Sequence, residues 1–141
     1  MIVYPTDSYN SFISLADAVT YFEGRLHSDE FTGAVTATQE AALITAFRAL
    51  QEFSFSITFD DDDIIDADTY TAAQIATILQ ALQYAQYEQA LYELKLDLDQ
   101  QFSYLGIPGL QMTKKEQPRY SPRALKIIGP YIYAPTLTVT R

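Results

Sequence analysis

The chain has no cysteine and no tryptophan, a single histidine and only five glycines. Without cysteine there is no disulfide, no thiolate metal site and no cysteine nucleophile, so the fold has to stand on packing alone. With His27 as the one imidazole, no histidine pair can hold a metal, and any catalytic triad would have to be built on that residue. Its place at the end of an expected helix is explained by a favourable dipole contact, and no function is assigned to it. The glycines, Gly24, Gly33, Gly106, Gly109 and Gly129, form neither GxGxxG nor GxxxxGK, which argues against a phosphate-cradling loop. No run of about 18 apolar residues exists, and Met1 to Asn10 lack a basic stretch followed by an apolar one, so neither a membrane span nor a secretory signal is expected. Charged residues reach only 19%, against roughly one quarter in ordinary soluble chains, so much of the surface is uncharged and open to coverage by partners.

What is present fits one domain: 141 residues, 48% of them hydrophobic, can bury one core but not two. Eleven tyrosines and eight phenylalanines make up the 13% aromatic content. Tyrosine offers a large apolar face with a polar tip, which suits surfaces that are dry on one side, so the composition points to an interface-rich protein. Charge is segregated. Residues 1 to 113 carry three basic side chains (Arg25, Arg48, Lys95) against 17 acidic ones, a net −14. Residues 114 to 141 carry six (Lys114, Lys115, Arg119, Arg123, Lys126, Arg141) against Glu116, a net +5. An acidic body with a basic tail suits head-to-tail contact between subunits, or docking of the tail on an acidic neighbour.

Along the chain, Ser14 with Asp17 three residues on resembles a capping box, and Leu15, Ala18, Val19, Phe22 and Leu26 recur at helical spacing. A second helix follows Thr38, with a broad apolar face of Ala41, Ala42, Leu43, Ile44, Phe47 and Leu50 that places it at the centre of the fold. Ser54 to Phe59 alternates with the period of a half-buried strand. The longest helix opens at Thr71 and runs from Ala72 to about Phe102 without Gly or Pro. Its apolar face drifts from Ile75, Ile78, Leu79 and Leu82 to Tyr87, Leu91, Leu94 and Leu98, so one end is expected to pack on the domain and the other on something else. Tyr84, Tyr87, Leu91, Leu94 and Leu98 are the expected subunit interface. Beyond it, prolines and glycines allow only a short helix over Arg123 to Ile128, capped by Ser121 with Pro122 in its first turn. Tyr131 to Arg141 reads as an extended arm with no partner in its own chain, suited to strand addition on another subunit.

The acidic run Asp60, Asp61, Asp62 and Asp63, with Asp66 and Asp68 behind it, is placed on a solvated loop. It lacks the alternating oxygens and central glycine of an EF-hand, and exposed aspartates alone do not supply the two differing environments that acid–base catalysis needs. No metal, cofactor or catalytic residue is assigned. A body at −14 also disfavours phosphate contacts, which leaves the tail, with Tyr120, Tyr131 and Tyr133 among its cations, as the segment for protein docking or for single-stranded nucleic acid.

Three segments resemble one family: Ile2-Val3-Tyr4-Pro5-Thr6-Asp7-Ser8-Tyr9; Ser14-Leu15-Ala16-Asp17-Ala18 with Tyr21-Phe22 and Arg25-Leu26; and Glu40-Ala41-Ala42-Leu43-Ile44-Thr45-Ala46 with Arg48. They are similar to small tailed-phage head-tail adaptors, also called connector or head-completion proteins, some of which are labelled DnaT-like single-stranded DNA-binding. The resemblance covers the chain to about Glu52; where the family pattern continues with Trp-Pro-Arg, this chain has Phe53 to Asp68. The expected fold is an all-α bundle with one long helix, an acidic central loop and an extended basic C-terminal arm; the resemblance implies the bundle, the long helix and the arm, while the acidic loop is read from this chain's own residues. The resemblance also implies a virion protein at the head-tail junction, present in the host cytoplasm during assembly, that forms a ring of about twelve copies beneath the portal. Residues 1 to 113 would be the adaptor body and 114 to 141 the arm, with Lys114, Lys115, Arg119, Tyr120, Arg123, Lys126, Tyr131, Tyr133 and Arg141 docking on the portal protein. The other implied partners are a downstream neck or tail-terminator protein and, in transit, the packaged DNA. An acidic wall would keep DNA from sticking, and Asp60 to Asp63 are the candidates for it. Two other readings stay open: a single-stranded DNA-binding accessory protein, and another neck or tail-terminator component.

Overall fold

The sequence stretch free of glycine and proline forms one helix, α4 (Ala72–Tyr104), whose 33 residues span about 50 Å. In the computed structural model, which describes residues 1–104 and 118–133 and the side chains of 1–96 and 118–133, the remaining elements wrap around it. They are α1 (Leu15–Glu23), α2 (Asp29–Thr32), α3 (Thr36–Leu50), α5 (Pro122–Ile128) and a short 3-10 turn (Gly129–Tyr131). The fold is therefore a small all-helical bundle with one long helix, and the described residues form no extended ladder of strands.

Local chemistry sets the helix starts. Ser14 caps α1 by accepting from the Asp17 amide at 3.1 Å while its hydroxyl donates to the Asp17 carboxylate at 2.8 Å. At α4, Thr71 Oγ1 accepts from the Gln74 amide and Gln74 Oε1 accepts from the Thr71 amide, a reciprocal capping box. Ser121 caps α5, with Pro122 in the first turn as expected. α1 stops at Glu23, before the expected end, with Gly24 as its cap. Leu26 is consequently 80% exposed rather than part of a buried face. α2 was not legible, because a four-residue helix has no periodicity to read. Gly33 closes it, and a Cβ at that position would lie 2.9 Å from the Asp29 carbonyl oxygen.

α4 packs mainly on α3 and α5. Its outward drift of apolar positions has a simple cause: successive parts of the helix serve different clusters. Ile75, Ile78, Leu79 and Leu82 join Phe12, Phe47, Ile57 and Ile65. Tyr87, Ala90, Leu91 and Leu94 join Phe22, Phe31, Leu43 and Ala46. Ala85 joins Leu50, Ala124 and Ile128. Seven consecutive residues, Ala85 to Leu91, are buried, so the middle of α4 is enclosed by this chain on every side. As far as Leu94 the drift thus marks a central helix that serves its own chain, while Leu98 and the end of the helix lie outside the residues whose side chains are described.

Residues 53 to 60 alternate between inward and exposed positions, as the sequence indicates, with Ile57 the most buried. The segment pairs locally, Phe55 with Ile132 and Phe59 with Ile65, both antiparallel. The Ser56 amide donates to the Tyr131 carbonyl at 2.8 Å and the Tyr133 amide to Ser54 at 2.9 Å. Tyr131 to Tyr133, expected to lack a partner in this chain, thus find one, because the half-buried Ser54–Phe59 segment offers a free edge. The rest of that arm, 134 to 141, lies outside the described residues.

Candidate functional site

Three polar residues in the enclosed part of α4 hold the bundle together. Gln86, fully buried, accepts from the Phe12 amide at 2.8 Å and donates to Ser11 Oγ at 2.8 Å and to the Leu43 carbonyl at 3.0 Å. Glu88 takes a bidentate pair from Arg25, at 2.7 and 2.9 Å, and the Tyr21 hydroxyl at 2.7 Å. Gln89 accepts from the Ser121 amide at 2.8 Å and so fixes the start of α5. Burial would raise the Glu88 carboxyl, but the hydrogen bonds from Arg25 and Tyr21 outweigh it and hold the group below the usual carboxylate range. Burial, then the Glu88 hydrogen bond, pushes the Tyr21 hydroxyl up to about 12. Among the described residues no buried side-chain polar atom lacks a partner, so this cluster is saturated and structural.

The expected interface on α4 is corrected by the same packing. Tyr87 is 6% exposed and stacks on Tyr21 at 4.2 Å between ring centroids, and Leu91 is 2% exposed. Leu94 packs against the same core. These residues complete the chain's own core, because α1, α2 and α3 cover that side of the helix. Tyr84, at 41%, remains at the surface, and Leu98 lies outside the residues whose side chains are described.

Most tyrosines likewise act within the chain. The Tyr4 hydroxyl accepts from the Ile65 amide, the Tyr70 hydroxyl accepts from the Thr58 amide, and the Tyr9 hydroxyl donates to the Asp63 carbonyl at 2.7 Å. Tyr92 donates to the Pro118 carbonyl and Tyr120 to Glu52. Composition alone could not separate these clamps from interface residues, since both need a ring on apolar ground and a hydroxyl at a polar group.

The acidic loop is organised from within. Asp60 Oδ1 accepts from the amides of Asp62 at 2.9 Å and Ile64 at 3.0 Å, an Asx-type turn, and Asp63 adopts φ 60°. All four aspartates are exposed. Together with Asp7, Asp62 and Asp63 line an open hollow of about 330 Å³. Its apolar lining is Tyr9, Phe47, Phe55 and Phe59, with Tyr9 edge-on to Phe47 at 5.7 Å. Burial, and after it the nearby Asp63, pushes the Tyr9 hydroxyl up to about 12. Phe55 and Phe59 lead directly into the acidic loop, and the fold brings Tyr9 and Phe47 to it from distant parts of the sequence. Among the described residues no group of three or more histidine, aspartate or glutamate side chains is placed to share a metal ion. No described helix is long and apolar enough to cross a membrane.

Of the basic segment, residues 118 to 133 fold back on the body. Ala124 and Ile128 are buried beside Leu50 and Ala85, Arg119 pairs with Glu52 at 2.6 Å, and the Arg119 guanidinium lies 5.6 Å from the Tyr120 ring centroid. The Arg119 and Tyr120 hydrogen bonds hold Glu52 below its usual range. Arg123 and Lys126 are exposed on the outer side of α5, and Tyr133 is 65% exposed. Lys114, Lys115 and Arg141 lie outside the described residues. Comparison with known proteins adds no relative: no family model, no curated protein and no solved structure matches the chain.

Proposed function

We propose that the chain is a structural subunit of a tailed-phage particle, a head-tail adaptor that packs as a ring beneath the portal and lets DNA pass. The observation that carries this reading is where the adaptor-like residues fall. Tyr4 and Tyr9 clamp the acidic loop, Tyr21 and Arg25 hold Glu88, and the Leu43 carbonyl receives Gln86. Residues that resemble the family are thus the ones that lock this helical body, which is what a shared architecture requires of them. The segregation of charge, −14 over residues 1 to 113 and +5 beyond, supports a part that meets neighbours through both signs. On this reading Lys114, Lys115 and Arg141 of the basic segment dock on the portal protein, and the outward side of the acidic loop faces DNA, where like charge prevents sticking.

Capture from assembling particles tests the proposal. A chain ended at Thr113 is unsuitable, since it would strip Ser121, Ala124 and Ile128 from the core. The suitable comparison is the full chain against one ended after Tyr133 and against Lys114→Gln/Lys115→Gln. Portal protein is expected with the full chain and less of it with each variant. Recovery of single-stranded DNA and no portal, with binding that falls steeply as salt rises, would establish the DNA-binding rival instead.

A further inference from the structure

The hollow at the acidic loop has the chemistry of a receptor for cationic side chains. Its lining combines the rings of Tyr9, Phe47, Phe55 and Phe59 with the carboxylates of Asp7, Asp62 and Asp63, and includes no basic residue. Aromatic faces attract a guanidinium or ammonium group, carboxylates pair with it, and about 330 Å³ accommodates such a head with part of its stem. The same chain carries a matching surface. Arg123 and Lys126 stand three residues apart on the outer side of α5, opposite the buried Ala124 and Ile128. Among the described residues neither makes an ion pair, while Arg119 is already taken by Glu52. Arg123 adds to the positive field at Glu88, but that carboxylate is held by Arg25. α5 is seated against Leu50 and Ala85, whereas the hollow is built mainly on the cluster around Phe12 and Phe47, with Phe55 touching both.

We infer that the hollow receives Arg123 and Lys126 of a second copy of this chain. One copy's hollow and another's cations are different surfaces, so the contact is heterologous, and repeated it leads to a ring or an open filament. The inference deepens the adaptor reading and rests on it for the expectation that copies assemble. It gives Asp62 and Asp63 a protein partner and leaves Asp61 for DNA.

Two neutralised proteins test it without portal or DNA, so failure here leaves portal capture standing as a separate question. Asp62→Asn/Asp63→Asn removes two of the three carboxylates at the hollow, and asparagine tolerates the positive φ of Asp63. Arg123→Gln/Lys126→Gln removes the cations with residues that favour helix. The parent should self-associate in sedimentation at low salt and dissociate as salt rises. Each variant alone should associate about tenfold more weakly or worse. An equimolar mixture should stop at a heterodimer, because only one productive contact remains. Circular dichroism of both variants establishes that they are folded. A parent that stays monomeric at the highest attainable concentration overturns the inference, as do folded variants that assemble like the parent or a mixture that assembles beyond the dimer.

Discussion

At the middle of α4, Gln86 and Gln89 are fully buried, Glu88 is 6% exposed, and each has partners inside this chain. At the acidic loop, Asp60 to Asp63 are all exposed, and Asp60 alone has its carboxylate drawn into the loop's own hydrogen bonds. The first region uses polar groups to fix which segments meet, because an unmatched polar group there would lose its water and gain nothing. The second carries charges that the fold scarcely depends on. Polar residues therefore divide by burial into those that specify the structure and those free to meet something outside it.

Substitutions can break this contrast, and the largest effect is expected at Arg25. Arg25→Met leaves the Glu88 carboxylate buried with only Tyr21 as partner, and should cost about 3 kcal/mol in denaturant unfolding at neutral pH. In the parent Glu88 is held below its usual value, so its contribution is present above the ordinary carboxylate range and lost as pH falls through the folded value. In the variant, burial, the largest influence, is opposed only by the Tyr21 hydrogen bond and the field of Arg123, so the group rises relative to the parent and the stabilisation above the ordinary carboxylate range is lost. The gap between the two proteins should narrow in acid. Next comes Gln86→Leu, which strips the Phe12 amide and the Leu43 carbonyl of their partner and should cost about 2–3 kcal/mol by the same measurement.

Tyr9→Phe removes one hydroxyl bond to the loop and should cost about 1 kcal/mol in a thermal melt. The parent's Tyr9, Tyr21 and Tyr87 share values raised to about 12. Their contribution is full below the ordinary value of 10.0 and lost as pH rises towards 12, which an alkaline titration of tyrosinate absorbance against unfolding would register. The smallest effect belongs to Asp61→Asn, whose side chain makes no hydrogen bond among the described residues; unfolding should shift by less than about 0.5 kcal/mol. A loss as large as that at Gln86 would erase the contrast between the two regions.

How much of this was readable in the sequence follows from the range of the forces involved. The caps at Ser14, Thr71 and Ser121 and the glycine-free course of α4 are local, and their residues announce them. The drifting face of α4 was equally visible, but its cause was not. A helix shared with a neighbour and a helix enclosed by its own chain leave the same pattern, and only packing distinguishes them. One signal was available: Gln86, Glu88 and Gln89 interrupt an otherwise apolar stretch, and polar residues inside a buried helix mark where other segments attach. The hollow could not be read as a unit, because Tyr9 and Phe47 reach the Phe55–Phe59 segment and its acidic loop only in space. The charge segregation was visible throughout and needed no fold.

The proposed place of the chain in a particle is tested most directly by its copy number in purified phage particles, measured by quantitative mass spectrometry against the portal protein. The expected result is a stoichiometry near one chain per portal subunit, retained after the tails are removed from the heads. Absence from purified particles, with the chain recovered only in the soluble fraction of the infected cell, would contradict it.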